Sequence, residues 1–509
     1  MVEQTMVEQT MVEHLTPLGA RGESREADVV TGLDVVVIET PNLGDRSYVV
    51  AVDGVAVAID PQRDIDRVLA VLADRGWSLM QVFETHLHND YVSGGLELAR
   101  VTGAGYVVPA LAGVSFAATA AADGEEFRTG LACWRAVHTP GHTPHHMSFV
   151  VSLDGVDRAV FTGGSMLFGS VGRPDLLGPD YTLGLAHDQW HSVRRLGDEV
   201  AGGAQVMPTH GFGSFCSATE TVGTASTVAE QRGANPAFRL REDEFVAELL
   251  AGLDAFPAYY AHMGPVNAAG PGAIDLSLPT VADPVELRRR IDSGEWVVDL
   301  RARRVFAAGH VRGTLSFDGE GNAVTYLGWL LPWGTPVTLL GESIGQVEQM
   351  QRDLARIGID RPAAHAVGSP ASWALDPAAD VRSFRRVGFS ELVTAQVADP
   401  DLLVLDLRRN LEWADGHVTG ARHVPLHELP ARMDEVVVSA KRAREAGVDA
   451  TVWVYCGSGF RAAVGASLIQ RAGVPVVHVD EDFTGAEPAG AAITRPDDGA
   501  LRLGPTTTA

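Results

Sequence analysis

At 509 residues the chain has room for about three domains, since a domain takes roughly 150 residues. Apolar residues make up 46% and charged residues 21%, which excludes a chain disordered throughout. Forty Lys and Arg against 65 Asp and Glu leave a net charge of −25, which repels phosphate backbones and anionic lipid and argues against nucleic acid or a membrane surface as partner.

The chain opens MVEQT, MVEQT, MVEHL, with Met1, Met6 and Met11 at equal spacing and neither the basic start nor the apolar stretch of a signal peptide. Residues 1–28 read as a disordered tail with no assigned function. No apolar run approaches the roughly 18 to 20 residues of a spanning helix. Three widely spaced cysteines, Cys133, Cys216 and Cys456, suit free thiols in a reducing compartment, so a cytoplasmic protein is expected.

From 29 to 240, short β-branched runs such as Val35 to Ile38 and Val55 to Ile59 alternate with polar turns and a few helical stretches, as in a strand-rich domain with helices outside. Residues 241–277 read as a helical connection. Within the first domain, the strand MQVFE leads into Thr85-His86-Leu87-His88-Asn89-Asp90-Tyr91. Alternate residues of an extended segment point the same way, so His86 and His88 are expected at one metal. HTPGHTPHH, which contains His142, and MPTHGFG, which contains His210, also follow apolar strands, so all three loops are expected to converge on one pocket. His86, His88 and His142 are the candidate ligands, with Asp90 and His210 as weaker ones.

The second half repeats itself. VVDLRARRVFAAGHVRG from Val297 matches LVLDLRRNLEWADGHVTG from Leu403, pairing Asp299 with Asp406, Arg301 with Arg408, His310 with His417 and Gly313 with Gly420. Two α/β domains with parallel sheets are expected, over 278–380 and 385–503. In the second, the strand TVWVY runs into Cys456-Gly457-Ser458-Gly459-Phe460-Arg461 and then a helical stretch. A thiol at a strand-to-helix turn meets free backbone N–H groups and the positive end of the helix dipole, both favouring thiolate. Gly457 and Gly459 let the backbone curl into an anion nest and Arg461 adds a positive charge, a setting for a sulfur nucleophile. In the first repeat the corresponding strand enters Gly341-Glu342-Ser343-Ile344-Gly345-Gln346, without cysteine, so that copy is expected to be catalytically inactive.

The DLR strand ends, the run Glu412, Gly416, His417, Gly420, Ala421, and the C-x-x-G-x-R loop resemble the rhodanese family. That resemblance implies that Cys456 accepts sulfane sulfur from a low-molecular-weight thiol persulfide or thiosulfate and passes it on, with Arg461 and the loop amides as stabilisers. The H-x-H-x-D and G-H-T motifs resemble the metallo-β-lactamase superfamily, an αββα sandwich. GRPDL near Arg173, WHSV near His191, PTHGFGS and NPAFRL bring residues 35 to 265 closer to its persulfide dioxygenases. That family implies one Fe(II) held by two histidines and a carboxylate; by position His86 and His142 are the imidazole ligands. Two positions depart from it. Gly164 stands where the carboxylate ligand belongs, and Tyr91 removes a ligand for a second metal, so at most one ion, iron or zinc, is expected, at low occupancy, and Gly164→Asp is expected to raise it. The leading reading is a persulfide dioxygenase-like domain coupled to a sulfurtransferase, as a single chain or an oligomer. The alternatives are a sulfurtransferase with a metal-poor first domain, and a metallo-hydrolase of the glyoxalase II thioesterase kind.

Overall fold

Strands Asp34–Thr40, Asp45–Val52 and Val55–Ile59 form an antiparallel meander that continues in parallel through Ser78–Phe83, Gly105–Pro109 and Thr119–Ala121. The computed structural model describes residues 24–26, 32–219, 221, 223–319 and 321–496, and among these no helix is long and apolar enough to cross a membrane. Side-chain alternation buries the sheet on both faces. Val35, Val37, Val50 and Phe83 meet a second sheet, while Val36, Ile38, Val49 and Val82 meet helices Asp66–Arg75 and Gly95–Thr102. The second sheet runs Gln205–Pro208, Val156–Gly163, Met147–Leu153, Ala132–His138, Glu126–Thr129, and its outer face packs under the long helix Pro179–Glu199. The result is the expected αββα sandwich, with its loops 84–91, 139–146 and 209–216 at one edge.

Two expectations are corrected. Residues Ser24–Glu26, read as part of a disordered tail, form a strand paired antiparallel with Asp34–Thr40; the remainder of the tail lies outside the described residues. Helix Glu242–Ala251, read as a connection, inserts Phe245, Val246 and Leu249 into the cluster that holds Val160, Val193 and Leu196, so it is part of the first domain's outer layer. Its apolar stripe demanded a partner that sequence spacing does not name. Helix Tyr260–Ala269 is likewise anchored there, because Asn267 Nδ2 donates to the carbonyls of His88 and Tyr91, both at 2.9 Å.

The repeated halves form two parallel sheets of the same order. One runs Leu315–Ser316, Trp296–Asp299, Val337–Gly341, Ala364–Val367; the other runs Arg422–His423, Leu403–Asp406, Val452–Tyr455, Val476–Val479 and adds Arg385–Val387. The Asp-Leu-Arg signature is a clamp in each. Arg301 closes on Asp299 (2.7 Å) and donates to the carbonyl of Gly309 (2.8 Å); Arg408 closes on Asp406 (2.6 Å) and donates to that of Gly416 (2.7 Å). Each clamp fixes the strand end against the Gly-His turn. Part of the expected 385–503 unit, from residue 497, lies outside the described residues.

One apolar cluster joins all three units, from Tyr91, Val92 and Tyr259 through Val324 and Leu327 to Leu429 and Val454. A buried ion-pair network also pins the first unit to the second. Asp64 accepts from Arg356 (2.7 Å) and pairs with Arg67 (2.9 Å) and Arg352 (3.5 Å). Burial opposes the Asp64 charge, and the three arginines, Arg356 foremost, outweigh it and hold the carboxyl well below the usual carboxylate range. Asp64→Asn removes the carboxylate shared by three arginines; because Arg356 keeps Asp353 and Arg352 keeps Asp66, the cost should fall at or below the low end of the roughly 3–5 kcal/mol of a broken buried pair. Because the folded pKa is depressed, this stabilisation is present above pH ~4 and is lost as pH falls below the unfolded value. Denaturation at pH 7 and pH 3 checks both: the variant and parent should differ more at pH 7.

Candidate functional site

The first site is built on strand ends. Asp60 follows strand Val55–Ile59, is fully buried, and accepts from Thr85 N (2.7 Å), Thr85 Oγ1 (2.7 Å) and Thr209 Oγ1. With its hydroxyl proton committed to Asp60, Thr85 Oγ1 accepts from His86 Nδ1 (2.9 Å). His142 Nδ1 donates to the carbonyl of Arg173 (2.9 Å), and His210 Nδ1 donates to Asp45 Oδ1 (2.9 Å) with Asp90 Oδ2 at 3.2 Å. Each ring thus commits its Nδ1 proton to an outer partner and turns Nε2 inward, the arrangement by which outer partners orient ligating histidines.

Ligand atoms of His86, His142 and His210 all lie within 4.8 Å of one another, and all three side chains are fully buried. The Nε2 atoms of His86 and His210 are 3.2 Å apart, close to the roughly 3.3 Å between two nitrogens each 2.0–2.1 Å from one tetrahedral ion. His142 Nε2 is buried without a hydrogen-bond partner. An unpaired inward lone pair beside two crowded ring nitrogens is what a metal ion would satisfy. Burial, then neighbouring imidazoles, push His86 well below its ordinary value and, with His210 the chief neighbour, His142 down to about 3, so both are neutral donors.

His88 belongs elsewhere. Its Nε2 faces Tyr91 Oη (3.0 Å), Asp60 Oδ1 (3.3 Å) and Glu84 Oε2 (3.3 Å), and its ring stacks on Tyr91. Burial disfavours its charge, but Asp60 and Glu84 outweigh that and raise it to about 9. It is an imidazolium counter-charge, and the segment that carries it is irregular instead of extended. Of the expected set, the structure brings His86 and His142 together with His210, while His88 falls in two other groups, with Asp90 and His210 and with Asp60 and Glu84. Asp90 is close to this set as a partner of His210; together with Asp45 it overcomes burial and raises that imidazole to about 10 in the metal-free site.

Gly164 has no room for the carboxylate. A Cβ there would collide with His142 Cδ2 and lie 2.7 Å from its Cγ. The His142 ring fills the place from which an Asp would reach, so Gly164→Asp would have to displace that ring.

The second site is the loop 456–461 between strand Val452–Tyr455 and helix Phe460–Arg471. Cys456 Sγ accepts from Gly459 N (3.2 Å) and Ala462 N (3.3 Å), and the side chain is 1% exposed. Gly459 is left-handed (φ 91°), and a Cβ there would collide with Asp480. Gly457 sits under Arg461, Ser458 gives its carbonyl to Arg303 Nη2 (3.4 Å), and the Phe460 ring packs on Tyr326. Arg461 is not a free cation. It forms a two-pronged pair with Glu412 (2.5 and 2.7 Å), whose carboxyl it, with Arg409, lowers to about 2 against the opposing effect of burial. In the other repeat, Gln346 Oε1 accepts from Glu342 N (2.7 Å) and Ser343 caps helix Ile344–Arg356, so the loop is closed by its own side chains.

The two sites are connected. Arg173, whose carbonyl holds His142, pairs with Asp175 (2.7 Å), donates to the carbonyl of Asp254 (2.6 Å) and stacks on Phe256. Asp254 Oδ2 accepts from Leu411 N (3.1 Å), one residue from Glu412. A cleft of about 360 Å³ is lined by residues of this chain of contacts, Asp175, Asp254, Phe256, Asn410 and Leu411. Sequence reasoning missed Asp45, Asp60 and the Arg173 carbonyl; an acid directly after the buried strand VAVAI was the available signal for Asp60.

Residues 43–211 match the metallo-beta-lactamase superfamily and residues 390–487 the rhodanese-like domain. Over 240 residues, 47% of this chain and 80% of that protein, the sequence is 30% identical to human "Persulfide dioxygenase ETHE1, mitochondrial". It is 36% identical over 148 residues to the hydroxyacylglutathione hydrolase of Methylococcus capsulatus, covering 28% of this chain and 52% of that one. A metallo-beta-lactamase structure from Staphylococcus aureus aligns over 67% of this chain and 100% of its own, at 24% identity and TM-score 0.60, a likeness of fold.

If the inward Nε2 atoms hold the metal, His210→Ala and His142→Ala should each lower metal affinity at least about 10-fold, while Tyr91→Phe leaves it near that of the parent. Gly164→Asp should lower metal content because it displaces His142. Metal analysis of protein purified anaerobically under reducing conditions decides; a gain of iron in Gly164→Asp would show that the His142 ring yields.

Proposed function

Since the chain belongs to the metallo-β-lactamase superfamily, among the relatives of the persulfide dioxygenases, and carries a C-terminal rhodanese-like domain, we propose that it is a two-site sulfur-metabolism enzyme: a persulfide dioxygenase-like metal domain coupled to a sulfurtransferase. Cys456 is the nucleophile. The observation that carries this reading is its sulfur, held in a strand-to-helix loop by two backbone N–H groups that also suit an added anionic sulfur. Arg461 and Glu412 act as a pair that braces the loop.

In the first domain, His86, His142 and His210 are the residues proposed to hold the ion, iron by likeness to the relatives, with zinc as the other candidate. Bound there, it would supply open positions where a persulfide sulfur and oxygen meet. Thr85, the Arg173 carbonyl and Asp45 fix the three tautomers, and burial keeps bulk water from the rings. A low-molecular-weight thiol persulfide serves both sites, and their place in one chain raises the effective concentration of sulfur passed from one to the other. Three unpaired cysteines suit a reducing, cytoplasmic setting.

A second reading, sulfur transfer alone over a metal-poor first domain, is favoured by Gly164, which supplies no anionic ligand. A two-metal hydrolase of the hydroxyacylglutathione type is disfavoured because Tyr91 occupies itself with His88 and Asp60.

Cys456→Ser should abolish thiosulfate- and persulfide-dependent sulfur transfer in the full chain, while Cys133→Ser and Cys216→Ser retain most of it. Unimpaired thiocyanate formation from thiosulfate and cyanide by Cys456→Ser would remove the assignment and leave Cys133 and Cys216 as the thiols to test. Oxygen uptake on glutathione persulfide, lost in His86→Ala with transfer at Cys456 intact, would separate the coupled enzyme from the sulfurtransferase alone.

A further inference from the structure

The repeat without a cysteine has lost the loop chemistry of its twin, yet its helix Ala323–Leu330 is buried at every residue. One side of the helix is pressed by the first domain. Thr325 Oγ1 donates to the carbonyl of Asn42 (3.0 Å), and a Cβ on Gly328 would fall 2.7 Å from the Tyr259 ring. The adjoining stripe carries Tyr326 and Trp329 to the sulfur loop of the other repeat. The Tyr326 ring lies 5.6 Å from that of Phe460, inside the 456–461 loop, and Trp329 stacks on His427 at 4.8 Å. Phe215, from the histidine-bearing domain, meets both edge-on, at 6.1 and 5.3 Å.

We propose that Tyr326 is a positioning residue for sulfur transfer at Cys456: the cysteine-less repeat supplies an aromatic wall that holds the carbon skeleton of an organic persulfide, with Arg409 at the rim to meet its carboxylate. This rests on the reading of Cys456 as the sulfur acceptor. An aromatic face gains contact area from an organic chain and little from a compact dianion such as thiosulfate. Arg409 lies over Phe215 at 5.2 Å, is only loosely bonded to Glu412 (3.4 Å) and leaves 37% of its side chain exposed, so it is free to turn toward a carboxylate. Burial raises the Tyr326 hydroxyl, with Arg461 and Arg409 the next influences and in the opposite sense, which sets that hydroxyl in the field of the sulfur loop.

The step held in place is a direct displacement. The Cys456 thiolate attacks the outer sulfur of R–S–SH, a new S–S bond forms as the old one breaks, RS⁻ leaves, and Cys456 carries –S–SH. With thiosulfate the same attack leaves Cys456–S–S⁻ and releases sulfite, with no carbon skeleton for the wall to hold.

The test compares the two donors in the full chain. Tyr326→Ala should raise KM for glutathione persulfide about three- to tenfold, while kcat/KM for thiosulfate changes by less than about twofold. Tyr326→Phe, which keeps the ring, should restore the parent KM, and Tyr326→Leu, which keeps apolar volume without the ring, should reproduce the split between donors if the alanine variant folds poorly. Equal losses with both donors would reduce Tyr326 to a structural role, and no change with either would leave the wall idle; each overturns the proposal. An unaltered chain that draws sulfur from neither donor would instead remove the sulfurtransferase reading beneath it.

Discussion

The first site depends on one buried carboxylate. Asp60 sits at φ 50° just past a central strand, with its side chain fully enclosed, and takes hydrogen bonds from the loops that carry His86 and His210 at once. Such a charge is costly in an apolar interior unless it is both paired and hydrogen-bonded. Thr85 and Thr209 supply the hydrogen bonds and His88 the opposite charge. Burial works to raise the Asp60 carboxyl, and His88 with these donors reverses it to a lowered value. His88 is therefore drawn out of the inner set by electrostatics: with Asp60 and Glu84 both within 3.3 Å, an imidazolium there removes a larger penalty than a neutral ligand would. Tyr91 completes the enclosure, donating to the Asp60 carbonyl at 3.2 Å.

That assignment alters the charge of the inner pocket. Two imidazoles and a carboxylate would cancel half of a divalent ion's charge, whereas three imidazoles would cancel none, and His210 would first give up the proton that Asp90 and Asp45 favour. An anionic sulfur substrate then provides compensation that no protein ligand offers, and its binding is favoured by the low dielectric around fully buried rings. Asp45 and Asp90 lie one step outward, behind His210, and temper that excess without occupying a ligand position. With glycine at 164 the His142 ring occupies the volume a side chain there would need, and His210 Nε2 stands 3.2 Å from His86 Nε2.

Much of this was legible in the sequence where the signal is local. A strand ending in Cys-Gly-Ser-Gly-Phe-Arg specifies its turn through glycines at fixed offsets, and the repeated Asp-Leu-Arg with its distant Gly-His turned out to be one hydrogen-bonded clamp seen twice. The convergence of three histidine loops also followed from strands that end at one edge. What sequence spacing could not convey is which nitrogen faces which partner. His86 and His88 are two residues apart, yet Thr85 turns one inward and Asp60 turns the other away. Asp45, Asp60 and the Arg173 carbonyl act across 25 to 165 residues of sequence, through hydrogen bonds to Thr85, His142 and His210, and only the folded chain brings them together. Arg461 shows the same limit, since its charge looked available until Glu412 was found to hold both its prongs.

The cysteine-less repeat is held in place by packing on both of its flanks. Its own loop is satisfied internally by Gln346 and Ser343, so no anion site remains to constrain that edge. Its helix Ala323–Leu330 is constrained on two fronts instead, by Tyr259 and Asn42 on one side and by Phe215, Phe460 and His427 on the other. A residue changed on that helix cannot be absorbed by moving away from one domain without pressing into the other, because close-packed interiors have little free volume. The pressure to keep the repeat therefore comes from packing between the histidine pocket and the sulfur loop, and it falls hardest on Gly328 and Trp329, where the approach is closest.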